Sequence, residues 1–184
     1  MIGVISLIIT LVALIASLPY LSKFFVYLVY RPQLEIFFPP PNEIKMRAEI
    51  VERTEIKWSE LTTGKRGKFN PLNIHLKDKR ALNIEIKFII DKPWKLKENM
   101  KKYFTEDGLV GGYPQKGGFW YKSKSFHLSG YSTLSLAFPF KPQPEECSLE
   151  VIVYPKIHLS EFRLPRYFGD VNLKPIKKIF KIVT

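Results

Sequence analysis

Residues 2–22, IGVISLIITLVALIASLPYLS, contain no charged side chain. As a helix they rise about 31 Å, close to the hydrocarbon thickness of a bilayer. The chain is therefore expected to meet a lipid bilayer through residues 2–22. A cleaved signal peptide would need a positive leading region, a short apolar core and a small-x-small cleavage site. No Lys or Arg precedes residue 23, the apolar run is longer than such a core, and Ala13 and Ala16 do not make a clean site. Retention as a single-pass anchor is the expectation.

The end of the run is marked. Pro19 is positioned to kink the last turns. Tyr20, Phe24, Phe25, Tyr27 and Tyr30 come next, flanked by Lys23 and Arg31. Aromatic rings and snorkelling cations belong at the headgroup level, so these seven residues are expected at the membrane interface. Lys23, Arg31, Lys45 and Arg47 all lie C-terminal to the run. The positive-inside rule then favours a cytoplasmic side for the C-terminal domain, although long domains translocate regardless of charge.

Residues 1–31 are thus read as anchor and collar, and 32–184 as one domain long enough to bury a real core. The chain is 46% hydrophobic, 14% aromatic and 25% charged, which excludes a disordered tail. Lys outnumbers Arg 22 to 7, a bias like that of hyperthermophile proteins. The net charge is +12, and only Lys23 and Arg31 contribute to it before residue 32. Such a field favours anionic lipid, an acidic glycan or an acidic protein, or else serves as a solvated surface. Cys147 is the only cysteine, so no intrachain disulfide forms.

Beyond a short apolar run at 34–38 and a stiff Pro39-Pro40-Pro41 spacer, the pattern alternates with period two. Segment 81–90 is the clearest strand. Leu82, Ile84, Ile86, Phe88 and Ile90 face one way, and Asn83, Glu85 and Lys87 the other. Further strands are expected at 46–58, 119–128, 131–138 and 148–154. The C-terminal 176–183 is expected to close a sheet edge, its Lys residues discouraging further pairing. Residues 95–104 form the one plausible helical turn or short helix. Seven or so short strands separated by turn residues predict a mainly β fold. It is read as an immunoglobulin-like antiparallel β-sandwich, with a small β-barrel as the alternative.

Motifs for chemistry fail one by one. His75, His127 and His158 are far apart and none has metal-ligand spacing, so no metal or cofactor is expected. A phosphate loop at Thr62-Thr63-Gly64-Lys65 would need Gly at 59 and Ser or Thr at 66, where Ser59 and Arg66 stand. No G-x-S-x-G elbow surrounds any serine. Cys147 comes directly after Glu145 and Glu146, which raise a thiol pKa instead of activating it.

The most unusual stretch is 107–122, DGLVGGYPQKGGFWYK, which holds five of the ten glycines. Lys116, Trp120, Tyr121 and Lys122 there are the candidate ligand-binding residues, suited to stacking on a sugar or dipping into a headgroup layer. The competing reading is a hairpin whose aromatics enter the core. Lysines also crowd 92–102 and 174–181. Without an RNA-binding or helix-turn-helix signature, nucleic acid is not an expected partner. The sequence thus points to a non-enzymatic, membrane-anchored interaction or assembly module at the cell envelope. The alternative is an envelope binder of acidic glycan or anionic lipid headgroups.

Overall fold

The computed structural model describes residues 2–39, 47–62, 71–92, 94–106, 119–141 and 145–184. Pro40 and Pro41 of the spacer, the turn at 63–67 and the loop residues 107–118 with Lys116 lie outside these.

Helix α1 spans Ile2–Val29, 28 residues, and continues through Pro19. It rises about 42 Å. Its Ile9–Val29 stretch has a mean hydropathy of 1.8, and only 6% of the window is buried against the rest of the chain. One N-terminal helix is therefore long and apolar enough to span a membrane.

The remainder is mainly β. The strands are β1 (Leu34–Phe37), β2 (Glu55–Lys57), β3 (Leu72–Leu76), β4 (Leu82–Ile90), β5 (Phe104–Glu106), β6 (Phe119–Ser123), β7 (Phe126–Leu128), β8 (Thr133–Leu136), β9 (Cys147–His158), β10 (Asp170–Asn172) and β11 (Ile176–Val183). They form two sheets. The smaller runs β1-β3-β8, and the larger runs β2-β11-β9-β4-β6-β5, with β10 on β9 and β7 on β4. Among the described residues neither sheet closes into a barrel.

Alternation explains the larger sheet's two faces. Leu82, Ile84, Ile86, Phe88 and Ile90 of β4 are buried, as are Leu149, Val151, Val153 and Ile157 of β9. Leu72, Ile74 and Leu76 of β3 join the same core cluster from the smaller sheet. Aromatic rings bridge the two. Phe38, just past β1, meets Phe180 of β11 edge-on at 5.0 Å. Trp94, wholly buried, touches Trp58, Phe138 and Phe140 at 5.5, 5.9 and 6.2 Å.

Several expectations are corrected. Segment 46–58 is not one strand. Arg47–Glu52 forms the short helix α2, and only Glu55–Lys57 is extended. Arg, Ala and Glu favour helix, and a period-two reading over six residues cannot outweigh that. A second short helix, α3 (Trp58–Thr62), comes at once after β2. Of the helical turn or short helix expected at 95–104, the structure has the turn, a single 3-10 turn at Glu98–Met100 before β5. β11 is not an edge, because β2 lies beyond it. That β2–β11 pair is parallel, unlike every other pairing of the described strands.

Segment 119–128 also divides. β6 pairs with Lys87–Ile90 of β4, and β7 with Leu82–Ile84. Between them the backbone ladder is interrupted. The buried Ser123 hydroxyl fills the gap, accepting the Ile86 N–H at 2.8 Å and donating to the Lys124 carbonyl.

Candidate functional site

The site with the most specific geometry is the joint between α1 and the β domain. Tyr30 directly succeeds the helix, and its N–H still bonds the Val26 carbonyl at 2.9 Å. The Tyr30 hydroxyl donates to Asp78 Oδ2 at 2.7 Å. Asp78 belongs to the β3–β4 turn, where its other oxygen accepts the Arg80 N–H at 3.0 Å. The Arg80 guanidinium lies over the rings of Tyr30 and Phe162, at 5.4 and 4.6 Å. Those rings meet edge-on at 5.2 Å. Val26, one turn back, is buried in the domain core. Lys174 sits 5.7 Å over the Tyr27 ring.

The electrostatics fit a permanent joint. Burial, and then the hydrogen bond to Asp78, push the Tyr30 hydroxyl well above its ordinary value. Burial acts to raise the Asp78 carboxyl. Hydrogen bonds from Arg80 N–H and Tyr30, with the Arg80 charge, outweigh it and hold the carboxyl below its ordinary value. At neutral pH the phenol is therefore a donor and the carboxylate an acceptor. Nearby, Glu161 Oε2 accepts the Ala81 N–H at 3.1 Å, and His158 Nδ1 accepts the Ser160 N–H at 3.1 Å, so both side chains brace the 3-10 turn Leu159–Phe162.

An open apolar groove of about 620 Å³ runs along this joint, bounded by Leu21, Phe25 and Val29 on the helix and by Arg80, Phe162 and Leu164 on the domain. A second concavity, about 550 Å³, lies on the outward face of the larger sheet. Asn83, Glu85, Lys87, Lys122, Tyr154 and Lys156 line it. Glu85 pairs with Lys122 at 2.8 Å, which offsets the like charges of Lys87 and Lys122 directly opposite each other in the ladder.

The candidate ligand residues do not converge. Lys116 lies outside the described residues. Trp120 is in register with Ile89. Lys122 lines the outward groove. Tyr121 corrects the expectation, because it is buried, donates its hydroxyl to the Trp94 carbonyl and packs on Phe140 at 5.0 Å. Its ring serves the core and is not free to stack on a ligand. Of the collar, Tyr20, Phe24, Phe25 and Tyr27 are exposed, whereas Lys23 and Tyr30 are half-buried. Arg31 donates back to the Tyr27 carbonyl at 3.1 Å. Burial pushes the Cys147 thiol up to about 12, assisted by Asp91. Among the described residues no group of three or more His, Cys, Asp or Glu is arranged to hold a metal ion.

Sequence reasoning missed Asp78, Arg80 and Phe162. Tyr30 was visible as an aromatic, but its partner lies 48 positions away, beyond any local pattern.

No protein-family model, curated protein or solved structure matches this chain.

Proposed function

We propose that this protein is a single-pass, membrane-anchored, non-enzymatic interaction or assembly module of the cell envelope. The two sheets are read as the layers of an immunoglobulin-like sandwich, held at a fixed attitude to the bilayer by α1. The observation that carries this reading is the joint. A flexible tether would suffice to keep a domain near a membrane, yet Tyr30, Asp78, Arg80, Phe162 and Val26 lock the helix to the domain. Fixed attitude matters when one face must meet a partner, and it adds nothing to a freely diffusing reaction.

The partner surface is assigned to the outward face of the larger sheet, with Tyr154 exposed among lysines 87, 122 and 156. A partner carrying acidic groups fits it. An acidic glycan is the second reading, favoured by the same concavity. A photocrosslinking residue in place of Tyr154, in the full chain in native membranes, tests this. Crosslinks to a defined protein are expected, and they should vanish in Lys87→Glu/Lys156→Glu. Crosslinks to glycan alone would favour the second reading. A domain that turned over a substrate would contradict both.

A further inference from the structure

The domain's contacts with α1 extend along the helix in order. Asp78 meets Tyr30, the core takes Val26, and Leu164 shares a groove with Leu21 and Ser22. A Cβ added at Gly169 would lie 3.7 Å from Lys23 Nζ. From Tyr30 back to Leu21 is about 13.5 Å along the axis. The segment 162–168 therefore stands beside the Leu21–Lys23 part of the helix. If Ile2–Leu21 crosses the roughly 30 Å of hydrocarbon, that segment stands level with its boundary.

The segment's chemistry suits that level. Tyr167 is 81% exposed, yet braced edge-on at 4.9 Å by the buried Phe168. Arg163, at φ 62°, holds a left-handed conformation that non-glycine residues seldom adopt, and its side chain is exposed, as is that of Arg166. Among the described residues, Lys23, Arg163 and Arg166 form no ion pair with a carboxylate. The nearby acids are already engaged, Glu161 by the Ala81 N–H and Asp170 by Lys156 at 3.7 Å. An exposed tyrosine among cations that no carboxylate pairs, beside a span, is the composition of a headgroup contact.

We propose that segment 162–168 is a second membrane contact, seated in the headgroup layer beside α1, with Arg163, Arg166 and Lys23 taking anionic phospholipid of the same bilayer. This rests on the reading of α1 as a membrane span. It also gives the joint a purpose, because a helix and a lobe together set the domain's tilt to the bilayer more firmly than a single span does.

The full chain carrying Tyr167→Cys, labelled with an environment-sensitive fluorophore, tests the proposal in vesicles of phosphatidylcholine with or without phosphatidylglycerol. The native thiol of Cys147 is buried, so the wild-type chain gives the labelling background. A second label at Lys181→Cys reports the opposite end of the sheet. Lys181 pairs with Ser148, and from Ser148 to His158 along β9 is about 33 Å. Headgroup-level spin-labelled lipid is expected to quench the label at 167 and not at 181, more strongly with phosphatidylglycerol present. Arg163→Gln/Arg166→Gln should lose that dependence, and Arg163→Lys/Arg166→Lys should keep it. No quenching at 167, in a protein that alkaline carbonate leaves in the membrane, would overturn the lobe contact and leave the anchor standing. Equal quenching in both vesicle types, or loss of the dependence in the lysine pair as well, would overturn the assignment to anionic lipid. Release by carbonate would overturn anchor and lobe together.

Discussion

Two side chains show how single residues hold this molecule. Ser123 replaces a missing rung where β6 gives way to β7, so Ser123→Ala leaves the Ile86 N–H buried without an acceptor. The expected cost is about 1–3 kcal/mol, read from chemical denaturation, whereas a Ser→Ala change on an exposed strand position costs little. Tyr30→Phe removes the bond to Asp78 and should cost about 1–2 kcal/mol. Its pH dependence has a defined sign. The folded pKa of Tyr30 is raised, so its contribution is present below the free phenol value of about 10 and lost as pH rises through the folded value. The folded pKa of Asp78 is depressed, so its contribution is present above about 3.9 and lost as pH falls through the folded value. The stability gap between wild type and Tyr30→Phe should therefore stay flat from about pH 5 to 9 and narrow at both extremes. Neither role was legible in the sequence. Ser123 looks like any polar residue in a strand, and Asp78 sits in a turn whose distance from Tyr30 only the fold closes.

At the scale of elements, strands that bury one face declared themselves. β4 and β11 have nearly the bounds that alternation gives, and β9 extends the short strand read at 148–154 to Cys147–His158. What alternation cannot supply is neighbour order. β11 looks like an edge from its lysines, yet β2 covers its end through a three-residue parallel pair. α2 escaped because six residues are too few for helical and extended periods to separate. The pairings predict graded stability. β4 is bonded along its length by β9 on one side and by β6 and β7 on the other. Its amides should exchange with deuterium only on global unfolding, whereas those of β2, an edge strand, should exchange through local opening. Equal protection of β2 and β4 would contradict this order of pairing.

For the whole molecule, the C-terminal lysine cluster that looked like a single patch is dispersed by the fold. Lys174 lies against Tyr27 at the helix joint, Lys177 pairs with Glu150 at 2.7 Å on the outward sheet face, and Lys178 donates to the Val51 carbonyl at the end of α2. Phe119 and Glu106, the stems of the glycine-rich loop, lie toward the Ile90 end of β4. The helix joint is at the other end, where Ala81 meets Glu161. With α1 in lipid, the joint and the lobe 162–168 are expected to face the bilayer, and the Ile90 end of β4 to point away from it. All of this depends on α1 lying in lipid. The most direct test is alkaline carbonate extraction of membranes from cells expressing the full chain, beside a Leu11→Arg/Leu14→Arg variant. The wild-type protein should remain in the membrane pellet and the variant should be released. Release of the wild-type protein into the supernatant would contradict the anchor.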